Sequence, residues 1–154
     1  MAGRIDQRLK ELGITLPAPA APIANYVPFV VTGNLVMISG QIPLVDGKVA
    51  YAGKVGVEVS PESAKEAARA CFVNLLAQLR AAAGDLDRVK RVVRLGGFIA
   101  APAAFTNHAA VMNGASDLAV EVFGDAGRHA RSTIGVPSLP ADAAVEVEGM
   151  FEIA

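Results

Sequence analysis

Residues 131–154, RSTIGVPSLPADAAVEVEGMFEIA, decide how this chain reads. Successive strand side chains point to opposite faces of a sheet. In the second half of the stretch, Val145, Val147, Phe151 and Ile153 therefore share one face, and Glu146, Glu148, Met150 and Glu152 share the other. The first half is a short apolar strand in which Ile134 and Val136 share a face with Ser132, opposite Arg131 and Thr133. A one-residue slip flips every side chain, so register follows the hydrophobic faces. Pairing the two strands as a hairpin, with Ile134 and Val136 matched to Val145 and Val147, predicts that Arg131 and Thr133 join Glu146 and Glu148. The expected patch lies on the face turned away from any covering helix. A guanidinium there matches a carboxylate bidentately, and a neighbouring glutamate orients or deprotonates a water. A plain surface Arg–Glu pair worth ~0–1 kcal/mol gives the same pattern, and the pattern alone leaves both open.

The elements upstream complete an α+β plan. Residues 3–13 read as a short amphipathic helix with Ile5, Leu9 and Leu12 on one side. The connector LPAPAAPIA (16–24) is extended. Strands are expected over 26–31 and 34–38 around Thr32-Gly33-Asn34, and a short hairpin over 45–51 around Asp46-Gly47. A helix opens at Ser60-Pro61-Glu62, with Ser60 as its cap and Pro61 at its first position, and closes at Gly84. Its apolar stripe runs through Ala64, Ala67, Ala68, Cys71, Leu75, Leu76 and Leu79. A strand over 89–100 and a helix over 103–123 follow. This order predicts one mixed or antiparallel sheet with two helices packed on one face. The other face is then either wet or buried by a partner.

Composition bounds the function. A chain of 154 residues without a composition break is one domain. It is 53% hydrophobic and 19% charged, more apolar than a lone domain of this size needs, which hints at a subunit interface. A net charge of −1 leaves no basic footprint for nucleic acid or anionic membrane, and 5% aromatics with no Trp argue against stacking on bases. Cys71 is the single cysteine, so there is no internal disulfide. The charged N-terminus is unlike a signal peptide, and no apolar run spans a bilayer; a cytoplasmic protein is the expectation.

Three stretches carry a resemblance: Ala24-Asn25-Tyr26-Val27, LVMISGQIPL (35–44) and ARSTIGVPSLPADAAVEVE (130–148). With the element order, SGQIP after a strand and the spacing A-R-S-x(6)-L-P-x(5)-E-x-E resemble the RidA family, also called YjgF or L-PSP. The resemblance covers essentially the whole chain, 1–154, with 1–14 as an extra N-terminal helix. It implies a chorismate mutase-like fold and a homotrimer whose free sheet faces meet in a central barrel. It also implies active clefts between subunits that hydrolyse reactive enamines and imines to 2-keto acids and ammonia. By that resemblance Arg131 grips the substrate carboxylate and Glu146 positions the attacking water. The backbone at Thr133 contacts the imine nitrogen, Tyr26, Ser39 and Gly40 close the pocket, and Asn113 matches an asparagine of the second helix. No cofactor or metal is implied. The chain departs from the family in its N-terminal helix, in Ala24-Asn25 where Gly-Pro is usual, in Thr133 where deaminases often carry cysteine, and in a longer segment 114–128. These departures mark a divergent subgroup.

Other residues weigh less. His129 lies two positions before Arg131 and reads as an acid/base at the cleft mouth or a strand-edge residue. His108 is expected at solvent or a subunit boundary, and the two histidines form no metal motif. Cys71 sits on a core stripe. Ser39 lacks a histidine partner in sequence and reads as a strand-end hydrogen bond. Gly96-Gly97 reads as a bulge or a close approach. Besides imine hydrolysis, the sequence admits RNA cleavage or a chorismate mutase-like reaction on the same fold. A non-enzymatic trimer that binds a small carboxylate metabolite is the third reading.

Overall fold

A computed structural model describes residues 3–154. Helix α1 (Arg4–Glu11) precedes β1 (Phe29–Thr32) and β2 (Leu35–Gln41), and a two-strand ribbon follows, β3 (Leu44–Val45) with β4 (Lys48–Val49). Then come α2 (Pro61–Ala83), β5 (Val89–Ala100), α3 (His108–Phe123), β6 (Ala130–Val136) and β7 (Val145–Ile153). The main sheet has the order β1-β2-β7-β5-β6, antiparallel except that β6 runs parallel to β5. The α+β expectation holds: the sheet is mixed, with α2 and α3 packed on one face. Among the described residues no helix is long and apolar enough to cross a membrane.

Helix α2 forms as its termini dictate. Ser60 Oγ accepts the Ser63 amide at 3.1 Å, Pro61 opens the helix, and Gly84 closes it at φ 81°, a left-handed conformation that glycine adopts without steric cost. Its alanine face, Ala64, Ala67 and Ala68, is fully buried and lets neighbours come close. A Cβ on Gly114 of α3 would strike the Lys65 carbonyl of α2, so the two helices touch backbone to backbone there. Phe72, Leu75, Leu76 and Leu79 complete the core with Val36, Leu95, Ile99, Val145, Val147 and Phe151 from the sheet. Two buried amides of α2 hold loops in place. Asn74 Nδ2 donates to the carbonyls of Ile42 (3.0 Å) and Leu44 (3.1 Å), and Gln78 Nε2 donates to that of Ala20 (2.9 Å).

Helix α1 buries Ile5 and Leu9. The Asp87 carboxylate accepts the amides of Arg4 and Ile5 at 2.8 Å each, which caps α1 from a distant turn. Those two amides hold the Asp87 carboxyl below its ordinary value. Arg8 Nε adds a hydrogen bond to the Glu121 carbonyl of α3 at 2.7 Å.

The expected terminal hairpin is overturned. β7 lies between β2 and β5, and β6 is an edge strand beside β5. β5, α3 and β6 form a crossover unit, in which parallel strands need an intervening helix. The register Leu95↔Arg131, Gly97↔Thr133 and Ile99↔Gly135 then places Arg131 and Thr133 on the helix-covered face. Matching apolar faces misled because the inner face of this edge strand is polar. Ile134, expected inside, is 52% exposed on the open face. Helix α3 starts at His108 rather than 103, because residues 102–105 form a turn closed by the Phe105 amide on the Pro102 carbonyl at 3.0 Å.

Candidate active site

The residues singled out in the sequence collect into two clusters on opposite faces of the sheet. The first sits under α3 at the β6 edge. Arg131 Nη1 donates to Asn113 Oδ1 at 2.8 Å and to Ser116 Oγ at 3.0 Å, and Nη2 donates to the Ala109 carbonyl at 3.4 Å. Asn113 and Ser116 are three residues apart and so share a helix face. Thr133 follows on the same side of β6, with its Oγ1 buried and unpartnered among the described residues. A guanidinium has five N–H groups. Both Nη1 hydrogens are committed here, and the Nε/Nη2 edge keeps Nε–H and one Nη2 hydrogen unengaged among the described residues.

The second cluster lies on the open face. The pairing of β2 with β7 is broken between Ile38 and Gln41, where Ser39-Gly40 forms a bulge. A bulge re-aims its neighbours, and here it sets Gly40 against the Glu146 carboxylate so closely that any Cβ would collide with it. Ser39 Oγ donates to the Val27 carbonyl at 2.8 Å, which ties the bulge to the segment before β1, the strand-end bond expected of it. Glu146, Gly40, Tyr26, Pro28, Ile23 and Pro140 line a cavity of about 80 Å³. Burial raises the Glu146 carboxyl above its ordinary value, and the charge of Glu148 adds to the shift. Glu148 itself reaches Arg94 Nη1 at 3.8 Å across the exposed face.

Tyr26, Gly40 and Glu146 therefore come together, with Ser39 outside that cavity in a neighbouring hollow beside Arg94 and Glu148. Arg131, Asn113 and Thr133 come together, but the two sets do not meet within one chain. The expected single patch of Arg131, Thr133, Glu146 and Glu148 is corrected to two clusters separated by the sheet.

The remaining expectations resolve simply. His108 is half-buried, edge-on to Phe105 with ring centroids 5.3 Å apart, and packed against Gly135. Gly96 and Gly97 mark close approach rather than a bulge: a Cβ on Gly97 would stand 2.5 Å from Met112 Sδ. Cys71 is fully buried, its thiol pushed well up by burial and then by Glu146, which suits an inert core residue. The sequence reading missed Ser116. The i, i+3 spacing from Asn113 was the available signal.

A family described as "YjgF/chorismate_mutase-like, putative endoribonuclease" matches residues 6–152. Protein TCP17 of Trypanosoma cruzi is 46% identical over 99% of this chain and 96% of its own length. The crystal structure of Atu1372 from Agrobacterium tumefaciens, described as of unknown function, is 49% identical. It superposes with a TM-score of 0.91 over 97% of this chain and 92% of that one. E. coli TdcF, solved with bound serine, is 26% identical at a TM-score of 0.64, over 92% of this chain and 97% of its own. The fold is thus shared widely, and its details are shared with a narrower set of relatives. On the family match and these identities, the chain belongs to the YjgF/chorismate mutase-like family.

Proposed function

We propose that the protein hydrolyses small 2-imino acids to 2-keto acids and ammonia, in a cleft built from Arg131 of one copy and Glu146 of the next. The observation that carries this reading is that Arg131, held by Asn113, Ser116 and the Ala109 carbonyl, keeps Nε–H and one Nη2 hydrogen unengaged among the described residues. A guanidinium whose other edge is already held offers a prepared two-point contact to a carboxylate. The serine bound in TdcF is a small amino acid with such a carboxylate. The half-sites lie on opposite faces of one sheet, so a second chain must supply the missing half. A head-to-tail contact between two different surface patches closes into a ring, in line with the trimer expected from the family. Apolar side chains on the open face, among them Val30 (50% exposed) and Met37 (44%), suit burial between copies.

The chemistry follows from the two halves. The carboxylate seats on Arg131, and a water held by Glu146 attacks the imine carbon. Glu146 accepts a proton from the water as its oxygen bonds to the imine carbon and returns it to the imine nitrogen, giving a neutral carbinolamine. As the C–N bond breaks, the hydroxyl proton passes by way of Glu146 to the leaving nitrogen, which departs as ammonia and leaves the keto acid and an ionised Glu146. Glu146 must be ionised to accept that proton. With its carboxyl raised above the ordinary value, activity falls as pH drops through a point above the usual carboxylate range.

The test adds the whole protein to a serine or threonine dehydratase and follows keto acid release against a competing imine trap. Wild type accelerates release. Glu146→Gln lowers the rate by about 100-fold, the lower end of what a positioned general base contributes. Glu148→Gln moves the acid limb to lower pH, because it removes the neighbouring charge that lifts Glu146. Wild type without acceleration over the uncatalysed rate refutes the reading. RNA cleavage fits less well. Glu146 and Glu148 crowd the open face and Arg94 is already paired there, whereas a polyanion needs uncompensated cations.

A further inference from the structure

We propose that Ser116 and His129 form a positioning relay that fixes the guanidinium of Arg131 in its carboxylate-binding orientation, an inference that rests on the proposed role of Arg131. Neither residue is carried over by the family resemblance. The relay follows from which atoms can donate. His129 Nδ1 lies 2.6 Å from the Gly127 carbonyl, which only accepts, so Nδ1 carries a proton. In the neutral ring Nε2 is then an acceptor. Ser116 Oγ, 2.8 Å away, donates to it. With its hydrogen spent there, the hydroxyl turns its lone pairs toward Arg131 Nη1 at 3.0 Å. The chain of bonds runs from the Gly127 carbonyl to His129, Ser116 and Arg131, and each link has its donor and acceptor in place.

Burial lowers the His129 ring below the ordinary histidine value. The Gly127 carbonyl opposes this shift, and the charge of Arg131 adds to the lowering. Both effects keep the ring neutral, the state in which it accepts from Ser116. Arg128, beside it in sequence, pairs with Asp125 at 3.5 Å.

The relay decides which edge of Arg131 faces a ligand. Without Ser116, Asn113 would hold one Nη1 hydrogen and only the long 3.4 Å bond from Nη2 to the Ala109 carbonyl would oppose rotation of the guanidinium. Ser116 takes the second Nη1 hydrogen and turns the Nε/Nη2 edge outward. Its loss should raise KM and leave the water-activating half with Glu146 unaffected. A general packing role would lower stability without separating KM from kcat.

The test titrates 2-oxobutyrate, as a carboxylate probe, into the whole protein and measures kcat and KM for imine hydrolysis in parallel. Ser116→Ala should weaken binding and raise KM roughly tenfold with kcat changed less than about twofold, the loss of one charge-assisted hydrogen bond. Ser116→Thr, which keeps the hydroxyl, should recover most of the loss, and His129→Ala should shift KM in the same direction as Ser116→Ala. Nitrogen-15 shifts of His129 should report a proton on Nδ1 and none on Nε2. A Ser116→Ala protein that binds 2-oxobutyrate like wild type, or a proton on Nε2, overturns the relay while leaving the function of Arg131 standing. Wild type that neither binds the probe nor hydrolyses imines overturns the underlying reading, and the relay with it.

Discussion

Arg131→Ala should lower kcat/KM for imine hydrolysis by roughly 100- to 1,000-fold, corresponding to about 3–4 kcal/mol for truncating one partner of a desolvated charge pair. The magnitude follows from what is lost together. The carboxylate contact disappears, and Asn113 and Ser116 lose their common partner. Arg131→Lys should recover little of this, although it restores the charge. An ammonium is a point donor on a flexible stem and cannot hold Asn113, Ser116 and a bidentate carboxylate at once. Steady-state kinetics on both variants, with circular dichroism to confirm the fold, checks the prediction. A lysine variant with near-wild-type kcat/KM would show that charge alone suffices.

Gly114→Ala should cost stability out of proportion to one methyl group. The added carbon would meet the Lys65 carbonyl, and a backbone cannot swing aside as a flexible side chain does. Overpacking usually costs ~1–3 kcal/mol, and the upper end is expected here, because α2 and α3 must move apart as units. For a chain of this length about 3 kcal/mol lowers Tm by roughly 6–12 °C. Activity should fall as well. Gly114 lies between Asn113 and the Ser116 turn, so a shift of α3 displaces both anchors of Arg131. Thermal melts and the imine assay on the same preparation measure the two effects. Unchanged Tm would contradict the backbone contact.

Much of the architecture was legible because local signals were strong. Ser60-Pro61 and Gly84 bracket α2 as read, and the alternation of β7 gave its buried face correctly, Val145, Val147, Phe151 and Ile153 inward. Pairing was not legible. Whether β6 joins β7 as a hairpin or crosses over α3 to join β5 is decided by long-range contacts. The loop 138–143 permits either. The hydrophobic match favoured the hairpin because Ile134 and Val136 look like core residues. They are not, since the inner face of β6 meets Asn113, Ser116 and the Ala109 carbonyl of α3, and a polar helix surface calls for a polar strand surface. The start of α3 was also misplaced, because the chain forms a turn over residues 102–105 and enters the helix only at His108. The alternation of the last two strands singled out Arg131, Thr133 and Glu146, whereas Tyr26, Ser39, Gly40 and Asn113 came from the resemblance. Their division between two faces became visible only with the sheet order.

The sheet that separates Arg131 from Glu146 also makes defects in the two halves complementary. If each cleft takes its arginine from one chain and its glutamate from the next, a ring of Arg131→Ala chains and a ring of Glu146→Gln chains are both severely impaired. Mixed by unfolding and refolding together, the two populations would form some rings in which an intact Arg131 faces an intact Glu146. Two crippled proteins would then yield a more active one, as two damaged alleles of one gene rescue each other when their products assemble.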